Sequence, residues 1–111
     1  MLQQTTSYTI RDLTIDKEKF TVLRGQQPIT LTPTEFNLLL VLASAPDRVF
    51  SRMQLVDKVQ GGYGFEGYER TIDTHIRNLR KKLEPDPAHP TYILTVYGIG
   101  YKFDGGNHEE S

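Results

Sequence analysis

The chain has 111 residues, of which 37% are hydrophobic and 24% are charged, a composition typical of one globular domain with a modest core. It contains no cysteine, which excludes disulfides and thiol chemistry, and no apolar run of the ~18 residues that a membrane span needs. The formal net charge of −1 neither requires nor excludes a nucleic-acid partner, because whole-chain charge averages over local patches.

The first third of the chain is predicted to form short strands. Turn signals at 11–12, 16–19 and 24–26 separate segments in which apolar and polar residues alternate. Tight turns between such segments predict a small antiparallel sheet with one face on the core. The role of this sheet is either purely structural or to dock a neighbouring domain. The alternating segments are Tyr8/Ile10, Leu13/Ile15, Phe20/Val22 and the run 27–31.

Two helix starts of the same kind follow. Thr32 and Glu35 form a capping-box pattern with Pro33 at the first helical position, and the helix that follows is apolar nearly all round until Pro46 stops it. Residues 48–50 can add a short strand. Ser51-Arg-Met-Gln54 repeats the capping pattern and opens a second helix, which glycines end at 61–62.

A third helix is predicted over 70–83, after a glycine-rich loop at 61–67. Its apolar residues recur at spacings of four, three and four, which places them on one stripe of a helix: Ile72, Ile76, Leu79 and Leu83. Segment 70–82 carries five Arg and Lys against one Asp. Such a face suits a duplex groove lined with phosphates, and the alternative is a solvated surface.

The end of the domain is predicted to be a β-hairpin. Strand-like segments at 92–96 and 101–103 flank a turn that contains Gly98 and Gly100. Residues 104–111 carry three acids, no Arg or Lys and no apolar residue, so we expect an acidic, disordered tail. Residues 1–7 are expected to be flexible and show no signal-peptide pattern, which indicates a cytoplasmic location.

Three blocks of this sequence resemble the signature segments of the OmpR/PhoB-type effector domain, the DNA-binding half of many bacterial two-component response regulators. They are LTPTEFNLLL at 31–40, RTIDTHIRNLRKKL at 70–83 and TVYGIGYKF at 95–103. The resemblance implies an α+β winged helix-turn-helix over 8–103, with a four-stranded antiparallel N-terminal sheet, a three-helix core and a C-terminal β-hairpin wing.

The same resemblance implies a function in transcription. The recognition helix, 69–83, would enter the major groove of double-stranded promoter DNA, and the wing, 92–103, would touch the backbone or the minor groove. Members usually bind direct repeats as tandem homodimers, at the nucleoid. A receiver domain, for which this chain is too short, is phosphorylated by a sensor histidine kinase. RNA polymerase often contacts the loop that here comprises Gly61, Gly62, Tyr63, Gly64, Phe65, Glu66 and Gly67.

The candidate DNA contacts lie on the third helix and on the wing. Thr71, Thr74 and Asn78 either read base edges or face solvent. Arg80 either reaches a phosphate or bridges to Asp73, and Tyr101 either packs in the wing or meets a phosphate. The full set is Arg70, Thr71, Thr74, His75, Arg77, Asn78, Arg80, Lys81, Thr95, Tyr97 and Tyr101.

Three positions depart from the family pattern. Tyr97 stands where the wing often has Arg, Asn78 where several members place a base-reading Arg, and Gln60 where many have Trp. Asn pairs bidentately with adenine, whereas Arg prefers guanine. An adenine preference opposite Asn78 is therefore our hypothesis.

Other classes of function receive little support from these residues. The sequence shows no nucleophile–base pair and no phosphate cradle, so neither an enzyme nor a cofactor is expected. His75 has no suitably spaced partner for a metal. The competing class is a winged helix that binds proteins, but such a face should expose large apolar anchors, whereas this one presents Arg, Thr, Asn and Lys.

Overall fold

The N-terminal strands form an antiparallel sheet in sequential order, and three helices and a second sheet follow. The computed structural model describes residues 7–60 and 69–106, without the side chains of Tyr8, Gln60, Glu69 and Arg70. The elements are β1 (Ser7–Ile10), β2 (Leu13–Asp16), β3 (Thr21–Arg24), β4 (Gln27–Ile29), α1 (Pro33–Ser44), β5 (Phe50–Ser51), α2 (Arg52–Gln60), α3 (Glu69–Leu83), β6 (Ile93–Val96) and β7 (Gly100–Phe103).

The predicted four-stranded sheet is confirmed, with the order β1-β2-β3-β4. Its inner face contributes Leu13, Ile15 and Val22 to the core, and Ile15 lies opposite Val22 in the β2–β3 register. Pro28 lies on the edge strand β4, where the missing N–H of proline is tolerated.

One expectation for this sheet was wrong. Phe20 does not begin the third strand: it lies in the β2–β3 turn with φ of 53°, 64% exposed, its ring edge-on to Phe36 at 5.1 Å between centroids. The turn is set by Asp16, whose Oδ1 accepts hydrogen bonds from the amides of Glu18 and Lys19. β3 therefore begins only at Thr21.

Both predicted helix caps are confirmed. Thr32 Oγ1 accepts from the Glu35 amide at 3.2 Å, and Glu35 Oε1 accepts from the Thr32 amide at 3.0 Å. In α2, Ser51 Oγ accepts from the Gln54 amide at 3.1 Å, and Gln54 Oε1 accepts from the Ser51 amide at 2.8 Å. Each box satisfies two amides that the start of a helix leaves without partners.

The C-terminal hairpin is confirmed, and β5 joins it in a three-stranded sheet of order β5-β7-β6. Gly98 has φ of 82° and serves the turn. Gly100 has a different role from the predicted one: a Cβ there would lie 2.0 Å from the Phe50 carbonyl oxygen. Glycine is thus required at this position so that β5 can approach β7, which ties the hairpin to the start of α2.

Backbone pairing and hydrogen bonding continue at both ends of segment 8–103. Ser7 pairs with Asp16 in β1–β2. In the predicted tail, the Asp104 amide donates to the Tyr92 carbonyl at 2.8 Å and the Gly105 amide to Asp47 at 3.2 Å. Backbone hydrogen bonding holds these positions although they lack apolar side chains. Residues 1–6 and 107–111 lie outside the described part of the chain. Among the described residues, 7–60 and 69–106, no helix is long and apolar enough to cross a membrane.

A buried carboxylate joins the first helix to the third. Glu35, whose side chain is 4% exposed, accepts from Lys82 Nζ at 2.6 Å in addition to its capping bond. Burial acts to raise the pKa of Glu35. The hydrogen bonds from Lys82 and Thr32, together with the Lys82 charge, outweigh burial and lower this pKa below its ordinary value of 4.5.

Replacement of Lys82 by Met should reduce the dependence of stability on pH. Because the folded-state pKa of Glu35 is lowered, its stabilising effect is complete above the ordinary pKa and is lost as the pH falls through the folded-state value. We expect Lys82→Met to cost about 1 kcal/mol or less at neutral pH, since Lys82 is partly exposed, and to lose less stability on acidification. Urea denaturation from pH 7 to pH ~3 measures both. Lys81→Met is the matched control; an unchanged pH profile in Lys82→Met would contradict the assignment.

Candidate nucleic-acid interface

The outer face of α3 is open to solvent while its inner face is fully buried. Arg77, Lys81 and Thr74 are exposed, and Thr71, His75 and Asn78 are half-buried at the flanks. Within the part of the chain that the structure describes, the side chains of Arg77 and Lys81 make no hydrogen bond or ion pair. The predicted apolar stripe is confirmed, with no solvent exposure at Ile72, Ile76, Leu79 and Leu83.

Arg80 points towards the wing rather than away from the domain. Its Nε and Nη2 donate to the Ile93 carbonyl at 3.1 and 2.8 Å, and Nη2 also donates to Thr95 Oγ1 at 2.9 Å. The guanidinium carbon lies 5.5 Å from the centroid of the Tyr101 ring. Of the two alternatives for Arg80, the bridge to Asp73 is not formed. Arg80 clamps β6 to α3 and also engages Thr95, another predicted DNA contact.

Asp73 forms a second connection between α3 and the wing. Its Oδ1 accepts from Tyr101 Oη at 2.7 Å and from Arg52 Nε at 3.0 Å, so one carboxylate joins α2, α3 and β7. Burial and this hydrogen bond raise the pKa of Tyr101 to about 12. Tyr101 is 8% exposed. The Tyr101 hydroxyl, for which a phosphate contact and wing packing were the two alternatives, donates to Asp73, and its side chain is packed in the wing.

The turn at the tip of the wing is exposed to solvent. A tight turn brings the Ile99 amide to 2.9 Å from the Val96 carbonyl. Tyr97 and Ile99 on this turn are 88% and 60% exposed. Tyr97, a predicted DNA contact, is thus exposed on the same hairpin that Arg80 clamps to α3.

Glu84 was not predicted to have a role. It is 4% exposed, and its two carboxylate oxygens accept from three consecutive amides at 2.7–3.1 Å, those of Thr91, Tyr92 and Ile93. The loop after α3 is therefore folded back so that β6 begins beside the helix. The sequence shows only an acid before Pro85, and no local pattern identifies amides seven to nine residues away as its partners.

The N-terminal sheet is fastened to the same region. Arg24 donates to the Leu83 carbonyl at the end of α3, and Arg11 donates to the Thr91 carbonyl at 2.6 Å. The Tyr92 hydroxyl donates to Asp12. Burial and Asp12 raise the pKa of Tyr92 to about 12. The sheet thus supports the strand that leads into the wing.

Some of the predicted contacts fall on residues outside the described part of the chain. The loop at 61–67 lies outside the described residues, as do the side chains of Arg70 and Gln60. Between 7 and 60 and between 69 and 106, no group of three His, Cys, Asp or Glu side chains is arranged to hold a metal.

This architecture, three helices with a cationic outer helix beside a β-hairpin, is that of a winged-helix DNA-binding domain. Residues 25–103 match the family described as the C-terminal domain of transcriptional regulatory proteins. The chain belongs to this family, the OmpR/PhoB-type output domain of response regulators, which binds DNA and is not an enzyme.

Known proteins of this kind are similar over most of the chain. The DNA-binding response regulator MtrA of Mycobacterium tuberculosis is 44% identical over 94 residues, 85% of this chain and 41% of MtrA. The response regulator DrrB of Thermotoga maritima, an OmpR/PhoB homolog, has a TM-score of 0.80 and 37% identity over 90% of this chain and 45% of DrrB. The chain spans about two fifths of the length of the curated relatives it matches.

Solved structures of the isolated DNA-binding domain are also similar to this chain. The Klebsiella pneumoniae RstA DNA-binding domain, crystallised in complex with the RstA box, has a TM-score of 0.78 and 30% identity to this chain. The match covers 89% of this chain and 97% of that domain.

A double-mutant cycle should show that Asp73 and Tyr101 act as a pair. We expect Asp73→Ala and Tyr101→Phe each to lower the free energy of unfolding by about 1–2 kcal/mol, because each removes the hydrogen bond between the Tyr101 hydroxyl and its charged acceptor. The two losses should be non-additive by about 1 kcal/mol, since either change breaks the same bond. Urea denaturation provides the measurement, and Asp57→Ala with Tyr101→Phe is the control pair. Additive losses for Asp73 and Tyr101 would exclude the pairing.

Proposed function

We propose that this domain binds promoter DNA sequence-specifically, with α3 in the major groove and the wing against the backbone or minor groove. The observation that carries the proposal is the outer face of α3, where Arg77 and Lys81 are exposed beside Thr74 and Asn78. Thr74 and Lys81 are separated by about 10.5 Å along the helix, at 1.5 Å per residue, so the face spans about two turns. An α-helix of this kind fits the B-DNA major groove, which is about 12 Å wide.

The division of roles within this face follows from side-chain chemistry. Arg77 and Lys81 are proposed to neutralise phosphates and so position the helix, because cationic contacts with the backbone supply most of the sequence-independent affinity. Asn78, Thr74 and Thr71 are proposed to read base edges, since short polar side chains discriminate bases by hydrogen bonding. His75 and Arg70 are proposed as flanking phosphate contacts.

The domain is proposed to act as part of a longer regulator at chromosomal DNA in the cytoplasm. Two copies would bind a direct repeat in tandem, and a receiver domain, phosphorylated by a sensor histidine kinase, would control them. Segment 61–67 is the proposed contact for RNA polymerase. These partners are proposed from family membership. The chain itself corresponds to about two fifths of the length of its curated relatives.

Truncation of the α3 cations should weaken DNA binding and reduce its dependence on salt. We expect Arg77→Ala and Lys81→Ala each to lower affinity for duplex DNA and to reduce the slope of log K against log salt by about 0.9, the value for one neutralised phosphate. Fluorescence anisotropy titration of a duplex pool at several salt concentrations measures both quantities. Lys17→Ala, which removes an exposed cation from the distant β2–β3 turn, should leave both unchanged.

Two outcomes would contradict this assignment. Equal losses of DNA affinity and of salt slope in Lys17→Ala would mean that any positive charge on the protein surface contributes, whatever its position. Failure of the folded protein to bind any duplex at low salt would instead favour a winged helix that binds proteins.

Substitution of Asn78 should change the sequence that is bound. Selection of duplexes from a random pool should enrich adenine opposite Asn78 in the wild type and guanine opposite the Asn78→Arg variant, because the two side chains pair bidentately with different bases. The half-buried position of Asn78 at the edge of the outer face fits a contact with the groove floor. Guanine or no preference with the wild-type protein would exclude the adenine contact, and Lys17→Ala should select the wild-type sequence.

A further inference from the structure

The wing tip is apolar, and it carries no positive charge. Segment 92–101 contains no Arg or Lys. Its most exposed side chains are Tyr97 at 88% and Ile99 at 60%. A hairpin that binds phosphates by charge would carry cations at this place, because ionic contact with the backbone depends on Lys and Arg.

The cation beside the tip is already paired. Arg52 borders the concave surface under the turn, along with Thr95, Tyr97 and Ile99. Its Nε, however, donates to Asp73 Oδ1 at 3.0 Å, and the Tyr101 hydroxyl donates to the same carboxylate oxygen. Its charge is therefore compensated by Asp73 and is held at the base of the wing.

The apolar tip is held in a fixed position relative to α3. Arg80 bonds the Ile93 carbonyl and Thr95 at the base of β6. On the other strand, the close approach of Gly100 to Phe50 anchors β7. The turn itself is closed by the bond from the Ile99 amide to the Val96 carbonyl. The backbone that carries two large exposed apolar side chains is thus tied to α3, beside the proposed DNA-binding face.

We propose that Tyr97 and Ile99 form a non-ionic minor-groove contact, which selects DNA by the ease with which the groove opens. The sugar walls of the groove are apolar, and apolar side chains inserted there partly unstack and widen adjacent base steps. Flexible pyrimidine–purine steps accommodate this more easily than stiff A-tracts, whose narrow groove attracts cations instead. This inference rests on the proposed function. It adds a contribution to DNA specificity that does not depend on the release of counterions.

Single-site duplexes test this contact without help from a neighbouring copy. We expect Tyr97→Ala to weaken binding about tenfold, in the range of losses when an aromatic contact to a base is truncated, while the salt slope stays that of the wild type. Tyr97→Phe should bind nearly as the wild type does. Tyr97→Arg should steepen the salt slope by about 0.9, because it adds one phosphate contact. Leu23→Ala, an exposed apolar residue on β3, is the control and should have no effect.

Base-step substitution tests the selection by groove opening. Placing a TA step under the wing should favour wild-type binding over an A-tract at the same position, and Tyr97→Ala should lose this difference. Thermal unfolding of each variant establishes that it is folded. A preference of the wild type for the A-tract, or a difference that persists in Tyr97→Ala, would overturn the proposal.

The outcomes separate this contact from the proposed function. Wild-type affinity in Tyr97→Ala, together with weakened binding in Arg77→Ala, would overturn the wing contact and leave α3 as the DNA-binding element. A reduced salt slope in Tyr97→Ala would also overturn it, since the contact would then be ionic. A loss seen only on tandem sites, and not on a single site, would assign the tip to a neighbouring copy. Absence of binding by every folded variant and by the wild type would refute the proposed function itself.

Discussion

The burial of one stripe of α3 fixes the rotation of that helix, and the proposed DNA-binding face depends on this rotation. Full burial of an aliphatic side chain stabilises a fold by about 1.5–3 kcal/mol, so rotating the helix would expose several such groups at once. The cations on the opposite side are therefore held outward by the core and not by contacts of their own. The buried residues are Ile72, Ile76, Leu79 and Leu83.

Buried or partly buried carboxylates connect the elements around this helix. Glu35 joins α1 to the end of α3, Asp73 joins α2 and α3 to the wing, and Glu84 fixes the start of β6. Each is satisfied by several donors, as a carboxylate removed from water must be. Arg80, a cation, adds a further connection, because it donates from α3 to Ile93 and Thr95 of β6. The helix and the wing thus present one surface.

Patterns within a short window of sequence predicted most elements correctly. The capping boxes at Thr32 and Ser51 and the stripe on α3 are local, since their partners lie three or four residues apart. The wing hairpin also follows from local turn chemistry. The prediction for Phe20 was wrong because the side chain of Asp16 organised a turn that alternation alone did not reveal.

The sequence by itself therefore determined the elements, the apolar stripe and the cationic face, because helix and strand periodicity relate residues that are close along the chain. Only the tertiary structure decided which polar side chains of that region form hydrogen bonds within the domain. Arg80 and Tyr101 are residue types that often contact DNA. Within this domain, however, they bond to partners that lie 13 and 28 residues away along the chain. Such pairings depend on how helix, loop and hairpin pack together, which no local spacing specifies. The contrast between Arg80, bound to the wing, and Arg77, exposed on the same helix, thus arises from packing.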